Sequence, residues 1–221
     1  MKRKEHLLNT TIAAIGLFIV CFLLGSVPWG LVISKVFYGK DLRDEGSGNI
    51  GTTNAIRSMG KVGGYAVFVL DFGKGLLSGW IATLVAGWCA NGGPVDTGFL
   101  QLCLAISFLG CVWGHIFSPW LGFKGGKGIA VAIGCLFMVF GPIGAILELA
   151  IFIVLVPLTR YGSVGSIASA AACPFFALYF FWGNWPAWAI VSIGALTVVW
   201  AHRENIARLR AGTERKLGEK K

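Results

Sequence analysis

Long apolar runs alternate with short, polar, glycine-rich turns along this 221-residue chain. A bilayer core about 30 Å thick takes roughly 20 apolar residues as helix. That length predicts seven helical segments, at residues 7–33, 64–89, 97–116, 128–140, 143–158, 164–182 and 185–200. The expected fold class is an all-α integral membrane protein with seven transmembrane helices. It forms a single polytopic domain over residues 1–221, with a short N-terminal extension at 1–6 and a basic tail at 201–221. Gly141-Pro142 is either a turn between two helices or a kink in one long helix. With a turn there, every second loop carries nearly all the cations: Lys35, Lys40, Arg43, Arg57 and Lys61, then Lys124 and Lys127, then Arg160, then the tail. The positive-inside rule makes that side cytoplasmic, so the N-terminus is expected outside and the C-terminus in the cytoplasm. Lys2-Arg3-Lys4 opposes this placement and is outweighed by the summed loops.

Composition agrees with the pattern. Of the residues, 56% are hydrophobic and only 13% are charged, which excludes an ordinary soluble domain. The 32 glycines suit close helix packing in lipid. A net charge of +9 could indicate a nucleic-acid binder, but the cations sit in loops between apolar runs. Membrane lipid and phosphate are the expected partners, and no nucleic acid. The six cysteines lie in or beside apolar runs with no C-x-x-C pair, and read as small buried residues. The basic start imitates a signal peptide, yet the run that follows is too long and has no small-x-small cleavage site.

Polar clusters from distant parts of the chain fall on the one side. The first runs from Gly46 to Asn54 and closes with Arg57; its backbone N–H groups, with Ser47, Gly48, Asn49, Thr53 and Asn54, form a candidate anion cradle. It also spells G-x-G-x-x-G, but between membrane helices rather than after a strand, so the dinucleotide reading fails. In the second, Asp71 and Lys74 are three residues apart on a helix, where ionisable groups inside a span point to function. The third joins His115 to Lys124-Gly125-Gly126-Lys127-Gly128, two lysines bracketing glycines at a helix start, a strong phosphate pattern without the spacing of a Walker A loop. Arg160 to Ser166, including Ser163, repeats this chemistry in brief. The tail opens on His202 and carries Asn205, Arg208 and Glu214. Glu148 has no evident partner and reads as structural. Three separated histidines argue for no metal site.

The strings GSGNIGTTNAIR, DFGKG, GHIFSPWLGFKGGKGIA and HRENIARLRAGTE resemble, in order, the signature motifs of the acyl-phosphate:glycerol-3-phosphate acyltransferases, the PlsY family. Departures are small: Thr52, Ser118-Pro119, and the N-terminal extension. The resemblance implies transfer of a fatty acyl group from acyl phosphate to the 1-hydroxyl of glycerol 3-phosphate, giving 1-acylglycerol 3-phosphate and phosphate. It implies no cofactor, a bacterial inner membrane with the active site facing the cytoplasm, and a functional link to the soluble enzyme that makes acyl phosphate from acyl carrier protein. His115, Lys124, Asn205 and Glu214 are the expected catalytic residues. Ser47, Gly48, Asn49, Thr53, Asn54, Arg57, Lys74, Lys127 and Ser163 are expected to bind phosphate, with Asp71 and His202 orienting. The residues leave open whether His115 or a substrate phosphate accepts the hydroxyl proton; the resemblance implies substrate assistance, with His115 positioning the glycerol phosphate.

Two other readings compete. A transporter for organic phosphates would need an inverted repeat and polar groups at the bilayer midplane, whereas these clusters lie at one face. A thioester-dependent acyltransferase would need H-x-x-x-x-D, and neither His115 nor His202 is followed by it.

Overall fold

The computed structural model describes residues 2–218, with side chains from residue 8 onward. The side chains of Lys2-Arg3-Lys4, and the tail beyond residue 218, lie outside the described residues. Nine α-helices occur among the described residues: α1 Lys2–Ser26, α2 Trp29–Tyr38, α3 Thr52–Cys89, α4 Thr97–Ile116, α5 Ile129–Val139, α6 Gly141–Thr159, α7 Gly162–Phe180, α8 Trp185–Ala201 and α9 Arg203–Arg210. Five helical stretches are long and apolar enough to cross a membrane, or six if α8 and α9, bent by 48°, are one span. With 11 residues, α5 is about 16 Å long, roughly half of a bilayer core. Many large apolar side chains face outward, among them Ile19, Val69, Leu147 and Ile153, as a lipid-facing surface requires.

Two elements differ from the sequence expectation. The first predicted segment, 7–33, is broken at Pro28, which has no N–H to continue the ladder; α1 ends at Ser26 and α2 begins at Trp29. The expected hydrophilic loop after it is largely helical, because α2 runs to Tyr38 and α3 starts at Thr52, bending at Gly60 (φ 78°) before its membrane portion. Between α5 and α6, Gly141 (φ 70°) makes a sharp turn and Pro142 stands in the first turn of α6.

Helix directions follow from the contacts. Gly110 of α4 packs on the backbone of Phe18 and Gly114 on that of Phe22, so α1 and α4 run parallel with almost no side-chain thickness between them. Asp71 and Lys74 of α3 meet His115, while the backbone of Lys74 meets Cys111, so α3 is antiparallel to α4. Trp113 bonds to Thr197, and Asn184 to Gly98, setting α8 parallel to α4. Gly75 and Gly79 of α3 pack on Val131 and Met138, making α5 parallel to α3. The C-terminal ends of α1, α4, α6 and α8 therefore gather with the N-terminal ends of α5 and α7 at one end of the bundle. The core beneath is apolar, with Phe108, Val112, Val131, Val191 and Val198 fully buried.

Candidate active site

The break at Pro28 has a chemical consequence. It removes the helix partners of the Ser26 and Val27 carbonyls, and each accepts from a side chain distant in sequence, Val27 O in addition to Trp29 N. Ser118 Oγ donates to Ser26 O at 2.7 Å, and Lys74 Nζ donates to Val27 O at 2.9 Å. Lys74 also lies 2.8 Å from Asp71 Oδ1 and 3.0 Å from His115 Nδ1. The three side chains are at most 5% exposed. An ion pair this deep persists only because each remaining donor finds an acceptor.

His115 is covered by the turn that follows α4. Gly125 N donates to Ile116 O at 2.9 Å and Gly126 N to His115 O at 3.1 Å, folding the lysine-glycine turn back over the end of the helix. The ring's Nε2 faces Gly126 so closely that a Cβ there would collide with it. The turn leaves Lys124 exposed and brings Lys127 half inward.

Lys127 leads to the tail. Its Nζ donates to Asn205 Oδ1, Asn205 Nδ2 donates to Glu214 Oε1 at 2.7 Å, and Arg208 Nε donates to Glu214 Oε2 at 2.7 Å. The Ser163 hydroxyl lies against the same carboxylate without meeting full hydrogen-bond geometry. Burial, then repulsion from Arg208 and Arg57, holds the Lys127 ammonium below its ordinary pKa despite the attraction of Glu214 and Glu204. Burial would raise the Glu214 carboxyl, but hydrogen bonds from Asn205 and Arg208 outweigh it and the net direction is down. Gly212 (φ 69°) turns the chain after α9 so that Glu214 points back at Arg208, and Leu217 N donates to Arg160 O at 2.8 Å, docking the tail on the α6–α7 turn. His202 is buried at the α8–α9 bend, with Nδ1 donating to Val198 O at 2.8 Å. Its Nε2 therefore carries the lone pair when the ring is neutral.

The third polar group comes from the α2–α3 connection. Asn54 is 2% exposed, and its carboxamide is directed into the loop: Oδ1 accepts from Ser47 N, and Nδ2 donates to Leu42 O and Glu45 O. Asn49 Oδ1 accepts from Gly51 N at 2.8 Å. Gly46 and Gly48 take positive φ, of 57° and 69°, and the buried Leu42 and Ile50 anchor the loop. Ser47, Gly48, Thr53 and Arg57 remain exposed, and the field of Arg57 reaches Lys127.

The expected residues thus form two joined clusters, Asp71–Lys74–His115 and Lys127–Asn205–Glu214–Ser163–His202, with Lys124 on the turn between them and Arg57 beside the second. The Ser47 and Thr53 side chains make no hydrogen bond among the described residues, while Asn49 and Asn54 shape their own loop. Sequence reasoning named Arg208 and Gly126 within their motifs without giving either a role of its own, and the Val27 carbonyl was not visible to it. A glycine after a basic eight-residue helix was a faint sign that the tail folds back; a backbone carbonyl carries no residue-type signal at all. Directly below the clusters, an apolar cleft among α4, α5, α6, α7 and α8 runs from Ile129 and Val198 past Ala170 to Ala145, Glu148 and Cys173.

The family model for glycerol-3-phosphate acyltransferase matches residues 15–212. Glycerol-3-phosphate acyltransferases of Thermosynechococcus vestitus and Rhodopseudomonas palustris are 38% and 40% identical, over 95% and 94% of this chain and 98% and 99% of theirs. The fold is similar to crystal structures of PlsY, an integral membrane glycerol 3-phosphate acyltransferase. The glycerol 3-phosphate form gives a TM-score of 0.76 at 35% identity, over 93% of this chain and 96% of that one. The lysophosphatidic acid form gives 0.73 at 33%, over 93% and 95%. With matches of this extent in sequence and in fold, the chain belongs to the glycerol-3-phosphate acyltransferase family of integral membrane enzymes.

Proposed function

We propose that this acyltransferase takes its fatty acyl group from acyl phosphate and delivers it to the 1-hydroxyl of sn-glycerol 3-phosphate, forming 1-acylglycerol 3-phosphate and phosphate at the cytoplasmic face of a bacterial inner membrane. The observation that carries the reading is the meeting, at one end of the bundle, of the Lys124–Lys127 turn, the Arg57 region and the docked tail around a half-buried ammonium. Such a site binds anionic head groups. In the proposed topology, α5 and α8 complete seven spans, the N-terminus is outside and the tail, with α9, is cytoplasmic. The sidedness of the cations supports this, with sixteen of nineteen at the site end by sequence.

An acyl phosphate is a mixed anhydride. The glycerol oxygen bonds to the acyl carbon, the bond from that carbon to the phosphate oxygen breaks, and phosphate departs as an anion, so neither a covalent enzyme nucleophile nor a strong general acid is needed. The enzyme must gather two phosphates and exclude water. Lys124, Lys127 and Arg57, with Ser47, Gly48 and Thr53, are assigned to the phosphates. Asn49 and Asn54 hold the loop that presents them. Asn205, Glu214 and Ser163 orient Lys127, and His202 borders the same pocket. The acyl chain lies in the apolar cleft below, reaching it from the lipid between helices. The soluble enzyme that makes acyl phosphate from acyl carrier protein is the proposed supplier.

Purified protein given palmitoyl phosphate and labelled glycerol 3-phosphate should form lysophosphatidic acid, with acyl-CoA and acyl carrier protein thioesters inactive as donors. Product from the thioesters alone would overturn the donor assignment.

A further inference from the structure

Lys74 is the most deeply set cation of the site, and its surroundings decide the protonation of a neighbour. The ammonium meets Val27 O at 2.9 Å and His115 Nδ1 at 3.0 Å in hydrogen-bond geometry, and pairs by charge with Asp71 Oδ1 at 2.8 Å without meeting that geometry. An ammonium has no lone pair. The contact to His115 therefore requires the lone pair to be on Nδ1, which leaves the proton of the neutral ring on Nε2.

The alternatives are costly. An imidazolium would set an N–H against an N–H and a second positive charge 3.0 Å from the first. A neutral Lys74 amine accepting from Nδ1–H would strand the Asp71 carboxylate, 2% exposed, without a countercharge. His115 itself lies 3.7 Å from Asp71 Oδ1, beyond hydrogen-bonding distance. On its other edge, Nε2 faces Gly126 beneath the lysine turn, and no hydrogen bond to it is found among the described residues.

We infer that Lys74, paired with Asp71, is a positioning residue that fixes His115 as its Nε2–H tautomer, so that Nε2 presents a hydrogen-bond donor to the substrate. The acceptor it serves is an oxygen of the glycerol 3-phosphate or the acyl phosphate; this part rests on the proposed function, while the tautomer does not. The second histidine is set the opposite way, since His202 Nδ1 donates to Val198 O and its Nε2 holds a lone pair.

The sequence holds three histidines, so nitrogen-15 NMR on histidine-labelled protein in nanodiscs, assigned by the loss of signals in His115→Asn and His202→Asn, reads each ring directly. His115 should show an unprotonated Nδ1 and a protonated Nε2, the reverse of His202. In the double variant Asp71→Leu/Lys74→Met, which replaces the ion pair by apolar groups of similar size, His115 should become a mixture of tautomers. KM for glycerol 3-phosphate should then rise about tenfold or more, the loss expected for one hydrogen bond to a charged acceptor, with kcat falling less than KM rises. A parent spectrum with the proton on Nδ1, or a folded double variant that keeps the parent tautomer, overturns the inference. If the double variant fails to fold, the parent spectrum decides alone. Failure of acyl phosphate as donor would instead count against the proposed reaction and leave the tautomer as measured.

Discussion

Asn205 joins two charged groups that the chain brings from far apart, and its removal is the sharpest test of the assembled site. Asn205→Ala deletes the acceptor for Lys127 Nζ and the donor to Glu214 Oε1. Hydrogen bonds with a charged partner contribute about 1.5–3 kcal/mol. Glu214 keeps Arg208 through its other oxygen at 2.7 Å, so the carboxylate is not orphaned. Lys127 loses its partner while the repulsion from Arg208 and Arg57 remains. Counting the Lys127 bond alone, kcat/KM should fall about tenfold to 100-fold, at about 1.36 kcal/mol per decade. Asn205→Asp separates the two bonds: it still accepts from Lys127 but sets a second carboxylate against Glu214. Its loss should exceed that of Asn205→Ala if tail docking dominates, and fall short of it if Lys127 dominates. The assay is initial rate with palmitoyl phosphate and labelled glycerol 3-phosphate, each varied, on protein of unchanged elution profile and melting temperature. A folded Asn205→Ala within twofold of the parent would refute the view that the tail positions Lys127 for the reaction.

Other outcomes follow from the same geometry. Because burial and neighbouring cations hold Lys127 below its ordinary pKa, its charge is lost as pH rises through that lowered value, so activity should fall before the usual lysine range. Lys127→Arg should move that alkaline limb upward, since a guanidinium does not titrate there, and an unmoved limb would assign it to another group. Gly126→Ala places a Cβ on His115 Nε2; it should cut kcat/KM by about tenfold or more, equivalent to the loss of one charge-partnered hydrogen bond, and lower the melting temperature as overpacking of a buried site does. Ala170→Leu narrows the apolar cleft two turns below Ser163; at an overpacking cost of about 1–3 kcal/mol, it should shift preference toward shorter acyl phosphates, read by competing donors in one reaction. Five of the six native cysteines are buried and Cys89 is partly exposed. In a background without Cys89, single cysteines at Asn49 and Lys124 should be labelled from the same side of sealed vesicles, and opposite sidedness would end the proposed site.

The sequence by itself determined the membrane class, the all-helical fold and the place of nearly every helix, because length and apolarity are local properties that a bilayer selects directly. Gly141-Pro142 read locally as a turn or a kink and was resolved by the sidedness of the cations, and the structure has Gly141 at positive φ with Pro142 in the first turn of α6. The polar motifs were visible as residue types, and their gathering at one end followed from counting spans. The break after Ser26 was less legible, since Pro28 sits in an uninterrupted apolar run where a kink and a stop look alike.

Only the packed structure decided which of those residues touch. Lys74 and His115 are 41 residues apart, and Lys127 and Asn205 are 78 apart; such contacts depend on helix directions and on glycine-lined approaches that no motif spacing encodes. The same packing turned Asn54 inward to tie its own loop and supplied a bare carbonyl at Val27 as a partner for Lys74. Backbone acceptors are common to every residue, so their use becomes visible when the chain around them is in place.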